Sequence, residues 1–500
     1  MNIDGEPTAA CTIGSIVVRY RPIRWPVLAW IVLLCVLAVQ PLRAAPAPSA
    51  AHPNIVFILT DDMEVSQLPF MRNLNALVAA EGVGFERAYV NVALCCPSRA
   101  TILTGKYAQN TGVWTDTAPA GGFDRFHELG HEQKTIAVWL EAAGYRTALF
   151  GKYLNHYPDR ADGGRYVPSG WTEWAADLWY RGDLARQFNY VLNKDGALVR
   201  HGSRPTDYAT DVLGRLATDF ITTSAAARKP FFLYLALPAP HAPAVPAPRH
   251  AGLFPNERAP RPPSFNEADV SDKPPFLRRP PLTAAGIAAI DRRRRDQLRS
   301  LQAVDEVVRS IVDTLARVEQ LARTYIVFTS DNGLLMGQHR RAFVKDLPYE
   351  EAQRVPLLVR GPGVVRGVKR RQLVTNADLA PTFLAWAGVR APLDLDGRSF
   401  APLLRRQAPH RWRIAVPLAR HDRQAPTDLP GYRGLRTRRY TYVEWQTGAR
   451  ELYDTDRDPY QLVNIARDAS PALLAGLATA TARLARCRGA GCRAAEDAPW

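Results

Sequence analysis

Asn54-Ile55-Val56-Phe57-Ile58-Leu59-Thr60-Asp61-Asp62 decides the fold class. Its apolar run, rich in β-branched and aromatic residues and closed by polar ones, reads as a strand over 55–59. Onward from Asn54 short runs of this kind alternate with longer helical patterns. The pattern predicts a helix over 72–80, a helix over 136–143, a strand over 147–150, a helix over 210–222 and a strand over 231–237. Between 293 and 321, Leu298, Leu301, Val304, Val307, Val308, Ile311 and Leu315 recur at the spacing of an amphipathic helix, which leads into a strand over 325–328. Such alternation builds βα units, so the expected fold is α/β, with a doubly wound, mostly parallel central sheet flanked by helices.

Further along, the pattern changes. Residues 238–284 are rich in Pro and poor in periodicity, and read as a long ordered loop or lid in a scaffold that otherwise uses short connections. Past 387 the chain turns Arg-rich, with hairpin-like strands near 432–445, the segment Glu451-Leu452-Tyr453-Asp454 and a last helix around 472–484. The expected division is a catalytic domain over 46–394 and a smaller C-terminal α+β domain with an antiparallel sheet over 395–500. No internal repeat is evident.

The 500 residues, 47% hydrophobic, suffice for a large core. Arg19, Arg21 and Arg24 precede an almost unbroken apolar stretch over 25–39, and Ala44-Ala45-Pro46-Ala47 follows. This is the layout of a secretory signal peptide over 1–45, and it predicts a secreted or periplasmic protein. The stretch is short for a membrane span, so a membrane enters only if the segment stays uncleaved as an anchor. The first 45 residues hold four Arg and two acids, so their loss takes the formal charge from +16 to +14. A basic surface suits an anionic partner such as a sulfated glycan, or is an Arg-rich composition without functional meaning. Nothing resembles a nucleic-acid-binding module. Of the six cysteines, Cys11 and Cys35 would leave with the signal, and Cys487 and Cys492 are spaced for a local disulfide.

In open parallel sheets ligands bind beyond the carboxyl ends of the strands. Four expected strands run into suggestive groups there: Asp61-Asp62, Lys152, His241 and Asp331-Asn332. Singly, each could be a turn residue or a helix cap; four at one sheet edge make a site. Three carboxylates and an amide are hard oxygen ligands, suited to Ca²⁺ or Mg²⁺ rather than zinc. A cation so held would act as Lewis acid and template, with Lys and Arg neutralising the remaining charge of an anionic ester.

One motif stands apart from these strand ends. Cys95-Cys96-Pro97-Ser98-Arg99 with Leu103-Thr104-Gly105 forms a C-x-P-S-R-x-x-x-L-T-G string that resembles the activation signature of the sulfatase family. The resemblance implies that Cys95 is oxidised to formylglycine by a formylglycine-generating enzyme, and that its hydrated aldehyde attacks sulfur. By the same resemblance Asp61, Asp62, Cys95, Asp331 and Asn332 form the metal site, Arg99 holds the modified residue, Lys152 and Lys345 bind sulfate, and His241 faces the substrate. In the implied mechanism one hydroxyl of the aldehyde hydrate attacks in line while an acid, His241 first and Lys345 second, protonates the departing sugar oxygen. The second hydroxyl then expels sulfate.

Many sulfatases continue G-K-x-H, whereas this chain has Leu154 in Gly151-Lys152-Tyr153-Leu154-Asn155-His156. That string is similar to the N-acetylglucosamine-6-sulfatase and extracellular heparan 6-O-endosulfatase branch, as are Ala239-Pro240-His241-Ala242-Pro243, Pro263-Ser264-Phe265-Asn266 and Asp272-Lys273-Pro274. Asn155 or His156 could take over the missing histidine's role, and His156 could equally be a surface residue. The branch implies a sulfated sugar or glycan as substrate, N-acetylglucosamine 6-sulfate first. The alternatives are a phosphate or phosphonate ester hydrolase of the same superfamily, and a non-catalytic protein that binds sulfated glycans.

Overall fold

The computed structural model describes residues 52–158, 162–178, 184–422 and 429–500. The segment read as a signal peptide lies outside them. Among the described residues no helix is long and apolar enough to cross a membrane.

A ten-stranded sheet forms the middle layer. Its centre is five parallel strands in the spatial order Thr324–Ser330, Asn54–Thr60, Phe231–Ala236, Arg146–Gly151 and Glu173–Asp177. Beyond the first of these, Leu357–Arg360 and Val83–Phe85 each pair antiparallel to their inner neighbour, and Val368–Arg370 closes that edge. The other edge is an antiparallel hairpin of Tyr190–Lys194 and Ala197–His201.

Side chains of successive strand residues point to opposite faces, and both faces are covered here, so the central strands read as unbroken apolar runs. Val56 and Ile58 face a layer built mainly from the helices Ala209–Ala226 and Ala284–Arg317. Ile55, Phe57 and Leu59 face the helices Cys95–Thr104, Ile136–Ala142 and Leu379–Trp386. Phe57 meets Tyr234 and Phe383 edge-on, with ring centroids 4.8 and 5.3 Å away.

The helix over 72–79 widens to i→i+5 hydrogen bonding at its end, where the Ala80 N–H donates to the Asn75 carbonyl at 2.9 Å. Its start is fixed from elsewhere: the Asn73 and Leu74 N–H groups both donate to the Asp305 carboxylate at 2.8 Å. The long helix begins at Ala284 rather than 293, with Thr283 Oγ1 accepting the Gly286 N–H at 3.1 Å as its cap. Its first turns, Ala-Ala-Gly-Ile-Ala-Ala, show no polar face against an apolar one, so periodicity is silent there.

Before the helix that starts at Ala284, residues 238–283 contain single helical turns at Pro248–His250 and Pro275–Leu277 and one isolated β-bridge, from Phe265 to Gln338. Buried Glu267 ties this segment to the rest, binding Lys273 at 2.6 Å and His339 at 2.7 Å. Toward the C-terminus, Ala415–Arg420, Tyr432–Thr437, Tyr440–Trp445 and Arg450–Asp454 form an antiparallel meander. One face, with Ala415, Leu435, Tyr442 and Leu452, packs on the helix Pro471–Arg486; the other, through Leu418, Val443 and Tyr453, joins the main core. Cys487 and Cys492 form a disulfide.

The two helices on the first face approach closely at Gly214. A Cβ there would lie 2.6 Å from Cγ2 of Val307, a β-branched residue with one preferred helical rotamer. Gly214→Ala is therefore expected to destabilise the protein by about 1–3 kcal/mol, against the propensity gain of alanine. A lower urea midpoint at unchanged slope is the result to look for.

Candidate active site

The parallel register opposes Thr60 to Ser330, so the residues that follow, Asp61 and Asp331, leave the sheet side by side. The Asp331 N–H donates to the Thr60 carbonyl at 3.1 Å, and the Asp62 N–H donates to Asp331 Oδ1 at 3.2 Å. Two consecutive residues of an extended strand would point apart. Asp62 instead adopts φ +63°, a left-handed conformation that Asp tolerates better than most residues, and both carboxylates turn into one site.

Cys95 is the first residue of the wholly buried helix Cys95–Thr104, which Gly105 ends in the left-handed conformation. Pro97 falls in the first turn, where its missing N–H costs no helical bond. Arg99 lies four residues after Cys95 and so on the same helix face. From outside the helix, Asp116 accepts the Cys96 N–H at 2.8 Å and Asn376 donates to Ser98 Oγ at 3.0 Å.

These elements converge on Cys95. Its thiol donates to Asp61 Oδ1 at 3.3 Å and lies 2.8 Å from Lys345 Nζ. The other oxygen of Asp61 accepts from Lys152 Nζ at 2.5 Å and lies 3.5 Å from the Arg99 guanidinium. Arg99 Nε donates to Asp331 Oδ2 at 2.8 Å, and its Nη1 donates to the Lys152 carbonyl at 2.7 Å. Asp62 Oδ1 accepts from Lys345 Nζ and from Asn332 Nδ2, both at 2.6 Å. His241 Nε2 lies 3.7 Å from Asp62 Oδ2, while its Nδ1 lies 2.8 Å from the Ala242 carbonyl. A carbonyl only accepts, so Nδ1 carries a hydrogen and Nε2 is the nitrogen left to exchange a proton with a ligand. Asp331 and Asn332 are 0% exposed, whereas the side chains of Lys345 and His241 are 16% and 26% exposed. The site therefore opens on the side of those two residues.

Burial works to raise the Asp61 carboxyl, but Lys152, His241, Arg99 and Lys345 outweigh it and hold the group below the usual carboxylate range. Burial likewise opposes ionisation of Asp62, and Lys345 and His241 prevail over it. Asp331 goes the other way: burial and the charge of Asp61 push it up against the pull of Arg99. Burial and the neighbouring Asp61 also push the Cys95 thiol well up. A cysteine here is held protonated and is a poor nucleophile as it stands.

All nine residues singled out from the sequence, Asp61, Asp62, Cys95, Arg99, Lys152, His241, Asp331, Asn332 and Lys345, lie in this one network. Around the missing G-K-x-H histidine, Leu154 is buried in the core, and Asn155 is buried with its Oδ1 lacking a hydrogen-bond partner. His156 is half-buried at φ +67°. Asp116 and the buried Asp346–Arg420 pair, 2.9 Å apart directly after Lys345, went unremarked in the sequence. Asp116 and Asp346 lie in loops, and only the fold brings them near the site.

The donor set fits a hard cation. One ligand atom each from Asp61, Asp62, Cys95 and Asp331 lie within 4.8 Å of one another, and the buried Asn332 Oδ1 has no hydrogen-bond partner. Carboxylates and an unused amide oxygen at such spacing are the donors that Ca²⁺ and Mg²⁺ take.

Comparison with known proteins gives the same picture from outside. The family model described as Sulfatase matches residues 53–389, and that described as N-sulphoglucosamine sulphohydrolase, C-terminal, matches residues 337–485. The chain is 34% identical to the N-acetylglucosamine-6-sulfatase of Capra hircus, over 89% of this chain and 86% of that one. It is 39% identical, over 70% of its own length, to a Caenorhabditis elegans Sulf-1 homolog named as an extracellular sulfatase, and spans 49% of that protein. Among solved structures it resembles BT4656 in complex with its substrate D-glucosamine-2-N,6-O-disulfate, with a TM-score of 0.72 and 26% identity, covering 86% of this chain and 96% of that one.

Asp331 is 0% exposed, so it cannot borrow water when Arg99 is lost. Arg99→Ala is expected to cost about 3–5 kcal/mol, the usual penalty for stranding one member of a buried ion pair, read as a loss of stability in chemical unfolding of the metal-free protein.

Proposed function

The chain belongs to the sulfatase family, hydrolases of sulfuric esters, and on that premise we propose that it releases sulfate from 6-sulfated N-acetylglucosamine, free or within a glycan. The observation that carries this reading is Cys95, held at the first turn of its helix between the carboxylate of Asp61 and the ammonium of Lys345. In this reading Cys95 is converted to formylglycine, whose hydrated aldehyde supplies the hydroxyl nucleophile that the protonated thiol is not. Asp61, Asp62, Asp331 and Asn332 hold Ca²⁺, or Mg²⁺ in its place, and the ion supplies Lewis acidity toward a sulfate oxygen.

The remaining roles fall to the chain's own cations. Lys345, 2.8 Å from the Cys95 sulfur, and Lys152, bound to Asp61, bring two ammonium groups to the site and receive the charge of the sulfate oxygens. Arg99 grips Asp331 and the Lys152 carbonyl together, which fixes the helix carrying residue 95 against the metal-binding strand ends. His241, anchored through Nδ1, offers Nε2 at the open side of the site and is the leading candidate to protonate the departing sugar oxygen, with Lys345 second. The disulfide Cys487–Cys492 supports export to an oxidising compartment.

Protein purified from its native host, digested and weighed by mass spectrometry, is expected to yield a peptide across residue 95 in which sulfur is replaced by an aldehyde oxygen. N-acetylglucosamine 6-sulfate is then expected to be cleaved faster than the corresponding 6-phosphate; the reverse order would make the chain a phosphohydrolase. Asp331→Ala is expected to abolish sulfate release while the protein stays folded, because Arg99 keeps Asp61 and the Lys152 carbonyl as partners. Full activity of that variant without added metal would remove the metal assignment.

A further inference from the structure

We propose that a second site on this protein, separate from the one at Cys95, binds the anionic groups of a sulfated or uronate-bearing oligosaccharide. It is a cavity of about 640 Å³ beside the first strand of the C-terminal meander, whose lining includes Arg371, Arg398, Arg411, Trp412, Arg413 and Arg438. None of the nine residues around Cys95 lines it. Its size is within the range of small-ligand cavities, about 300–1,000 Å³.

Charge is the first argument. Five arginines line the cavity with one lining acid, Asp497; Arg398 pairs with Asp497 and Glu496, Arg413 with Asp378 and Glu496, and Arg371 with Glu86 at 3.5 Å. Among the described residues neither Arg411 nor Arg438 has an acidic partner within salt-bridge distance, and both are exposed. Arg371 also lines an adjoining cavity of about 610 Å³, where Arg87, Lys369 and Arg436 stand among Glu64, Glu86, Glu350 and Glu351, so the acid-poor lining is confined to the cavity around Trp412. Burial first, and then the charges of Arg371, Arg436 and Arg438, pull the Arg87 guanidinium down.

The second argument is that the floor is built rather than accidental. Arg413 is 2% exposed, and Asp378 at 2.7 Å and Glu496 at 3.3 Å hold it in place. Its Nη1 is nonetheless buried without a hydrogen-bond partner. A buried guanidinium with a spare donor is expensive to keep unless something accepts from it. Trp412 stands beside it, with the guanidinium carbons of Arg398 and Arg413 at 5.6 and 5.7 Å from its ring, and its Nε1 donates to the Leu373 carbonyl at 2.7 Å. An aromatic face fixed among arginines offers an apolar surface for a sugar ring and guanidinium forks for its sulfate or carboxylate groups.

The choice of a glycan over other polyanions rests on the proposed activity, which brings the enzyme to sulfated sugar chains. A second grip on the same chain would raise affinity for polymers over monosaccharides without any new contact at Cys95. The substrate class is thereby narrowed to oligosaccharides that carry anionic groups at a distance from the sulfate being cleaved.

The test uses the full exported protein and a heparin-derived octasaccharide, with affinity measured across a range of salt concentrations. In the triple variant Arg371→Ser, Arg411→Ser, Arg438→Ser, affinity is expected to fall at least about tenfold and the slope of log affinity against log salt to shrink by about three, one per lost contact. Its kcat/KM on N-acetylglucosamine 6-sulfate is expected to stay at the wild-type value. A charge-matched variant, Arg228→Ser, Arg309→Ser, Arg467→Ser, is expected to bind the octasaccharide as the wild type does. Unchanged affinity in the first variant, or an equal loss in the second, would overturn the site. A DNA duplex losing affinity by the same factor in the first variant would overturn its assignment to glycans. If the wild type fails to cleave the monosaccharide, the proposed activity falls, and the binding comparison between variants still decides the second site.

Discussion

Three carboxylates buried within reach of one cysteine set the terms for the rest of the molecule. Two like charges about 4 Å apart repel by roughly 4 kcal/mol at an effective dielectric of 20, and burial removes the water that would otherwise soften this. Asp61, Asp62 and Asp331 are therefore compatible with folding only because Arg99, Lys152 and Lys345 are delivered to them from three other parts of the chain. The helix Cys95–Thr104, the residue after the strand Arg146–Gly151 and the segment after Leu335–Met336 each supply one of these cations. Their places in the fold are coupled through a handful of short contacts. The parallel sheet makes the coupling possible, since its strands end together and each offers the next residue to the same edge.

The same closure constrains when Cys95 can be altered. Its side chain is 1% exposed, and the lysine that lies 2.8 Å from its sulfur is 250 residues downstream. Another enzyme cannot reach a thiol beneath that lysine and the strand ends of the finished sheet. The proposed oxidation therefore belongs to the chain before Lys345 and the strand Thr324–Ser330 have closed over the helix. On that reading, maturation and folding compete for the same residue.

How much of this was legible in the sequence depended on whether local chemistry or distant packing decided the element. The strand Asn54–Thr60 and the acids after it are visible because burial on both faces writes an unbroken apolar run and the fold demands polar groups at its end. The C-x-P-S-R string is visible through its resemblance to the sulfatase signature, and the structure supplies the reason for its spacing: four residues along the helix Cys95–Thr104 return to the same face, which Arg99 shares with Cys95. The strand Glu173–Asp177 escaped because Trp174 is its one strong β-former among two alanines and two acids, and the strand forms by pairing with Arg146–Gly151 and Tyr190–Lys194. The first turns of Ala284–Arg317 escaped because alanine fits either face. Asp116 and the Asp346–Arg420 pair escaped because a carboxylate in a loop looks the same whether it caps a turn or a distant helix.

Composition was ambiguous in a different way. A formal charge of +16 suggests an anionic partner but gives no address. The buried cations at Cys95 contribute nothing to the excess, since Arg99, Lys152 and Lys345 are matched one for one by Asp61, Asp62 and Asp331. The surplus lies on the outside, where most arginines on a solvated helix face or loop tip are individually uninformative. What separates the cluster around Trp412 from that background is its concavity, its near-absence of acids and a buried guanidinium that its own neighbours leave partly unsatisfied. Net charge acquires a functional meaning only where the fold gathers it into a shape that a ligand can enter.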